Sequence, residues 1–135
     1  MGRNYENIEV YRLAYSFVLE VYKIIKLYPQ SEENNIASQL RRSSVSIVLN
    51  IAEGSAKASR KEFVHFLNTA FASAKEVEVL LKLSRDLGFL EQELYNKMYK
   101  LLDELNAKLY MFIRNVESKI TGQKRTFFQK FENKD

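Results

Sequence analysis

Cysteine is absent from the 135 residues, so disulfides, thiolate metal sites and thiol nucleophiles are excluded. That absence agrees with a reducing compartment. Histidine occurs once, at His65, three residues beyond Glu62. A metal site draws on several convergent ligands, and a ferritin-like di-iron centre needs Glu-x-x-His on two helices. Glu62-Phe63-Val64-His65 supplies that motif once, so His65 reads as structural. No Gly-x-Ser-x-Gly turn is present for a serine nucleophile. The stretch Gly54-Ser55-Ala56-Lys57-Ala58-Ser59 lacks the second glycine and the Gly-Lys-Ser ending of a phosphate loop, and reads as a turn. These gaps predict a protein without enzymatic activity, and no metal, cofactor or small-molecule substrate is expected.

Long apolar runs are also missing. No uninterrupted stretch approaches the roughly 18–20 residues of a bilayer span. No apolar segment follows Met1-Gly2-Arg3-Asn4-Tyr5-Glu6, and Glu6 stands where a myristoylation signal carries Ser or Thr. No membrane contact is expected, and a bacterial or archaeal cytoplasm is the expected location. The formal charge of +4 permits nucleic-acid binding without demanding it. Proline occurs once, at Pro29, and glycine only at Gly2, Gly54, Gly88 and Gly122. So little turn chemistry disfavours a many-stranded fold and favours long helices.

What is present has helical period. Val10, Ala14, Phe17, Val21, Ile24 and Tyr28 recur at spacings of four and three, predicting a first helix from about Asn7 to Tyr28 that ends at Pro29. A second stripe, Tyr11, Tyr15, Val18, Tyr22 and Ile25, lies beside it. Ser31, followed by Glu32 and Glu33, reads as the N-cap of a second helix starting there or nearer Asn35 and stopping near Gly54 to Ala56. Ser59 with Glu62 forms a capping box for a third helix. That helix carries Phe63, Leu67, Ala70, Ala74, Val77, Leu81 and Ser84 on one line and ends at Leu87-Gly88. Glu91 opens a fourth, with Leu94, Met98, Leu101, Leu105, Leu109, Phe112 and Val116 inward, and Gly122 stops it. Short connections make neighbours antiparallel. The expected fold is all-α, an up-down-up-down four-helix bundle over residues 1–120, followed by a polar, mildly basic tail over 121–135.

The second helix is unusual. Ser43 to Ala52, SSVSIVLNIA, contains no charge. Ile36, Leu40, Ile47 and Ile51 form the core face, while Val45, Val48, Leu49 and Ala52 lie outside that arc. Gln39, Arg42, Ser46, Asn50 and Glu53 fall within roughly 80° on the remaining side. One reading is a solvated polar stripe with scattered aliphatics. The other covers the helix on both sides, with core on one face and another subunit on the other, the polar line setting register. The second is favoured, and predicts a homo-oligomer. Arg42 and Glu53 share a face three turns apart, so any pairing of theirs must cross to another helix or subunit.

Gln39-Leu40-Arg41-Arg42-Ser43-Ser44-Val45-Ser46-Ile47-Val48-Leu49-Asn50-Ile51-Ala52-Glu53-Gly54 resembles the signature Q-x-R-R-A-x-x-S-I-P-x-N-I-A-E-G of the four-helix-bundle family named for reading frames in 23S rRNA intervening sequences. Tyr5 to Tyr11, Tyr28-Pro29, Ser59 to Leu67 and Leu87-Gly88-Phe89-Leu90 resemble its flanking motifs, so the resemblance covers about residues 4 to 120. Val48 stands where the family has proline, which weakens any kink. Lys57 replaces an arginine, and Phe71-Ala72-Ser73 replaces a small-Gly-Ser stretch. The resemblance implies a ring-shaped homopentamer, no enzymatic activity or cofactor, and an association with ribosomal RNA insertions. More distant relatives imply the holding of nucleic acid for a reverse transcriptase.

Basic residues are unevenly spread. Arg41, Arg42, Lys57, Arg60 and Lys61 gather around helix two and its following turn, and Lys119, Lys124, Arg125 and Lys130 near the C-terminus, with Phe127, Phe128 and Phe131 interleaved. Such residues suit phosphates and base stacking, or are simply solvated lysines beside docked phenylalanines. Five copies at +4 would carry about +20. The expected function is non-specific RNA or DNA binding through Arg41, Lys57, Arg60, Lys61, Lys124, Arg125 and Lys130. The alternative is a protein-interaction scaffold without nucleic-acid contact. No base-reading motif is present.

Overall fold

A computed structural model describes residues 4–120. Four helices carry the chain: α1 (Glu9–Ile25), α2 (Ile36–Ser55), α3 (Arg60–Asp86) and α4 (Gln92–Glu117). There is no strand among the described residues. Cross-helix contacts fix the directions. Lys97 meets Glu20 at 3.0 Å and Lys108 meets Glu9 at 3.4 Å, so α4 runs antiparallel to α1. Phe112 lies 5.7 Å from Phe63, and Arg85 sits over the Tyr95 ring at 4.4 Å, so α3 is antiparallel to α4. Ser46 meets Ser73, and Gly54 meets Phe66 and Phe63, so α2 is antiparallel to α3. The order is therefore up-down-up-down, with α1 and α3 each packed against both α2 and α4.

The inward stripes meet in one core. Val10, Ala14, Phe17, Val21, Ile24 and Tyr28 from the α1 side are all buried, as are Phe63, Leu67, Ala70, Ala74, Val77, Leu81 and Ser84 of α3. On α4, Met98, Leu105, Leu109 and Val116 are buried, while Leu94, Leu101 and Phe112 pack partly exposed against them. Leu40, Ile47 and Ile51 of α2 are buried, and Ile36 is half-buried. The Glu20 carboxyl is held below its usual range by hydrogen bonds from Lys97 and then Lys23. That pair ties α1 to α4 at the protein surface.

Several boundaries differ from the sequence reading. Helix α1 ends at Ile25, and Lys26 to Tyr28 form a turn, because Pro29 adopts an extended ψ of 144° that the chain approaches by unwinding. Tyr28 is buried all the same, its ring 5.9 Å from that of Phe89. Ser31 does not cap α2. It falls inside a 3-10 turn, Gln30–Glu32, and α2 begins only at Ile36. Ser59 does cap α3, its hydroxyl accepting the Glu62 N–H at 3.1 Å. Gly88 ends α3 with φ +82°, and the Phe89 N–H donates to the Ser84 carbonyl at 2.8 Å in a Schellman turn. Helix α4 ends at Glu117, short of Gly122, which lies outside the described residues together with the rest of the tail.

Gly54 is not a helix stop. It is buried one residue before the end of α2, where a Cβ would lie 2.7 Å from Phe66 Cβ and 3.0 Å from Phe63 Cδ1. The glycine lets α2 and α3 approach closely. Gly54→Ala gains about 1 kcal/mol of helix propensity, but the clash with a neighbouring Cβ costs about 1–3 kcal/mol. A lowered melting temperature in thermal unfolding is expected. An unchanged or raised value would show that the two helices separate freely there.

Candidate functional site

Helix α2 carries two kinds of small polar residue. Buried serines satisfy themselves on their own helix: Ser43 donates to the Gln39 carbonyl, Ser44 to Arg41 at 3.2 Å and Ser55 to Ala52 at 2.7 Å. With their hydroxyls bonded on their own helix, they can lie against neighbouring helices at little cost. Ser46 acts across the helix pair, its hydroxyl 2.8 Å from that of Ser73 on α3. The Asn50 amide donates to the Ser46 carbonyl at 2.8 Å and to its hydroxyl at 3.0 Å. The line Ser46–Asn50 is thus a locked network running along the α2–α3 seam.

The outward side of α2 forms a shallow groove of about 470 Å³ lined by Tyr22, Arg41, Arg42, Val45, Ser46, Leu49, Asn50 and Glu53. Of the residues expected at an interface, the groove gathers Arg42, Val45, Ser46, Leu49, Asn50 and Glu53. Gln39 is exposed on the same helix but is not part of the lining. Leu49 is 53% exposed and Tyr22 42%. Val45 is half-buried, and Val48 packs partly against the core, so the outer aliphatic strip is narrower than the sequence implies. Tyr22 is the contributor that reading α2 alone omits. Its signal was present in the second apolar stripe of α1, where Tyr15 is also half exposed and Leu19 beside it is 52% exposed.

The basic residues around α2 do not form one cluster. Arg41 and Arg42 sit in its first half, and Lys57 follows its end, roughly 22 Å away at 1.5 Å per residue. Arg41 is anchored within the chain, pairing with the Glu33 carboxylate at 3.2 Å and donating to the Glu33 carbonyl at 3.0 Å. Lys57 lies over the Phe66 ring at 5.0 Å. Arg42, Arg60 and Lys61 are exposed. Lys124, Arg125 and Lys130 lie outside the described residues.

His65 is exposed, with its ring 5.8 Å from Phe66. No group of three or more His, Cys, Asp or Glu that could hold a metal occurs among the described residues. None of the described helices is long and apolar enough to cross a membrane.

Comparison with known proteins bears on this arrangement. The family described as "23S rRNA-intervening sequence protein" matches residues 6–111. A crystal structure of a protein with unknown function, from the S23 ribosomal protein family of Bacteroides thetaiotaomicron VPI-5482, is similar at 28% identity with a TM-score of 0.72. The match covers 78% of this chain and 98% of that one. No curated protein matches.

The Ser46–Ser73 contact generates a test. A double-mutant cycle with Ser46→Ala and Ser73→Ala should give a coupling of about 0.5–1.5 kcal/mol in denaturant unfolding. Additive losses would show that the two hydroxyls act independently.

Proposed function

Since the chain belongs to the 23S rRNA-intervening sequence protein family, we propose that it works without catalysis, as a homo-oligomeric helical scaffold whose exposed basic residues hold nucleic acid by its phosphates. The observation that carries the reading is the outward groove of α2. Leu49, Val45 and Tyr22 offer apolar surface there, Ser46 and Asn50 are fixed in one orientation, and Arg42 and Glu53 stand at opposite ends. Covering that surface with another copy removes apolar area from water and lets charges about 16 Å apart on one helix find partners on a second chain.

A ring needs two different complementary surfaces, whereas a two-fold dimer uses one surface twice. A second groove, about 570 Å³, lies between the start of α1 and α4, with Glu9 and Glu104 at its rim and Met111 63% exposed. The α2 groove bears Arg41, Arg42 and Glu53 and the second bears Glu9, Glu104 and Lys108, so the two apolar surfaces lean to opposite charge, which favours a head-to-tail contact. A pentamer is the closed form that the family resemblance implies. Arg60 and Lys61, exposed at the α2–α3 corner away from the α2 groove lining, remain available to phosphates.

Two measurements check this reading. In sedimentation equilibrium at micromolar concentration the protein should have the mass of an oligomer, and Leu49→Asp should reduce it to a monomer with helical circular dichroism retained. A wild-type monomer removes the assembly. In binding to mixed single-stranded RNA, Arg60→Ala with Lys61→Ala should weaken affinity and flatten the log–log salt dependence by about 1.4, from roughly 0.7 per phosphate contact. If the intact protein binds neither RNA nor DNA at low salt, the nucleic-acid role fails and a protein-interaction scaffold takes its place.

A further inference from the structure

Helix α1 has an outer face that neither α2 nor α4 covers. At 100° per residue, Tyr11, Tyr15 and Tyr22 fall within about 40° of one another there and form an aromatic line. Tyr15 and Tyr22 are exposed and Tyr11 is half-buried. Tyr11 lies 5.9 Å from Tyr15, and Tyr5, in the 3-10 turn before α1, meets Tyr11 edge-on at 4.8 Å. Rings held by one another in this way give up little freedom when a flat partner covers them.

A second line runs beside the first, roughly 75° further round the helix, and it is basic. Arg12, Lys23 and Lys26 stand on it, all exposed. Both acids of α1 point elsewhere, Glu9 to Lys108 and Glu20 to Lys97 on the α4 side. Two carboxylates from other elements border the face: Glu6 by Tyr11, and Glu53, which lines the α2 groove with Tyr22. Lys23 pairs with Glu20 at 3.2 Å, but Lys97 holds that carboxylate at 3.0 Å, so Lys23 can turn to another anion without stranding it. Arg12 donates from Nη1 to the Glu6 carbonyl at 3.0 Å, with the rest of its fork left for an anion.

Aromatic rings beside a row of cations suit a single nucleic-acid strand, whose bases lie on the rings while its phosphates meet the charges. We propose that the outer face of α1 binds single-stranded nucleic acid, with Tyr11 and Tyr15 stacking bases and Arg12, Lys23 and Lys26 holding phosphates. From Arg12 to Lys26 the face runs about 21 Å at 1.5 Å per residue, the length of roughly six nucleotides at 3.4 Å per step. A duplex keeps its base faces inside its own stack and gains from the cations alone. A strand fits better than a second copy for two reasons. The two grooves of the proposed ring use Tyr22 but neither Tyr11 nor Tyr15. The charges that α1 itself presents here are of one sign, so two such faces repel. The inference rests on the nucleic-acid reading and deepens it, adding a preference for single strands that Arg60 and Lys61 do not confer.

Fluorescence anisotropy with a labelled oligouridine strand and with an RNA duplex of equal length tests it. The wild type should bind the strand more tightly. Tyr15→Ala should weaken strand binding about tenfold, the worth of one stacked base, and leave duplex binding unchanged. Tyr15→Phe, which keeps the ring, should retain wild-type affinity. Arg12→Gln with Lys26→Gln should flatten the log–log salt dependence for the strand by about 1.4. Should Tyr15→Ala lose helical circular dichroism, Tyr15→Gln takes its place. Unchanged strand affinity in the folded variant overturns the proposal, as does an equal loss on strand and duplex. A fall in oligomeric mass for Tyr15→Ala in sedimentation assigns the face to a second copy and also overturns it. Strand binding that falls with Arg60→Ala and Lys61→Ala, but not with Tyr15→Ala, removes this inference and leaves the nucleic-acid reading standing. Binding to neither probe at low salt removes both.

Discussion

The close approach of α2 to α3 is the constraint on which the other features depend. At Gly54 the two helices pass so near that even a methyl group would collide with the Cβ of Phe66. Along the same seam the serine pair Ser46–Ser73 exchanges a hydrogen bond where bulkier side chains would hold the helices apart. With α3 seated so tightly on one flank and the core on another, α2 has one side left. That side carries Val45, Leu49, Arg42 and Glu53. The groove opens on that side, with Ser46 shared between its lining and the seam with α3.

Charge along α2 follows a similar logic. Arginine and glutamate on one face, eleven residues apart, cannot neutralise each other, and the charge-free stretch between them leaves both without a partner on that helix. Arg41 resolves its own case by turning back to Glu33 and pinning the segment that leads into α2. Arg42, its neighbour in the lining of the same groove, stays exposed. Two adjacent arginines thus have different work, one closing the fold and the other facing outward. Helical rotation of 100° per residue separates the roles.

The packing elsewhere is arranged so that polar groups seldom need help from other helices. Ser43, Ser44, Ser55 and Ser84 all return their hydroxyls to carbonyls of their own helix. They behave as small, nearly apolar spacers at helix contacts. Against that background Glu117 stands apart, both of its carboxyl oxygens being buried without a hydrogen-bond partner.

The apolar periodicities, one proline and one capping box were enough to determine four helices and the inward faces of α1 and α3, since each depends on neighbours three or four residues away. On α4 the core face is turned from the expected stripe, burying Tyr95, Leu102 and Ile113 while Leu94, Leu101 and Phe112 stay partly exposed. The stripe from Val10 to Tyr28, the stripe from Phe63 to Ser84 and the Ser59 cap could all be read directly, and so could the departure of α2 from an ordinary surface helix. The sequence also carried the family resemblance through the residues from Gln39 to Gly54. What it could not determine were contacts between residues distant in the chain. Gly54 looks like a stop when judged locally, and only the position of Phe66 reveals it as a point of contact. The basic residues near α2 look like one patch in a linear text, whereas a rigid helix holds Arg42 and Lys57 far apart. Tyr22 joins the α2 groove because α1 lies beside α2. Ser46 finds Ser73, and Glu117 is enclosed at the end of α4, for the same reason: side-chain environment is set by which helices are neighbours and at what rotation, and tertiary packing alone decides that.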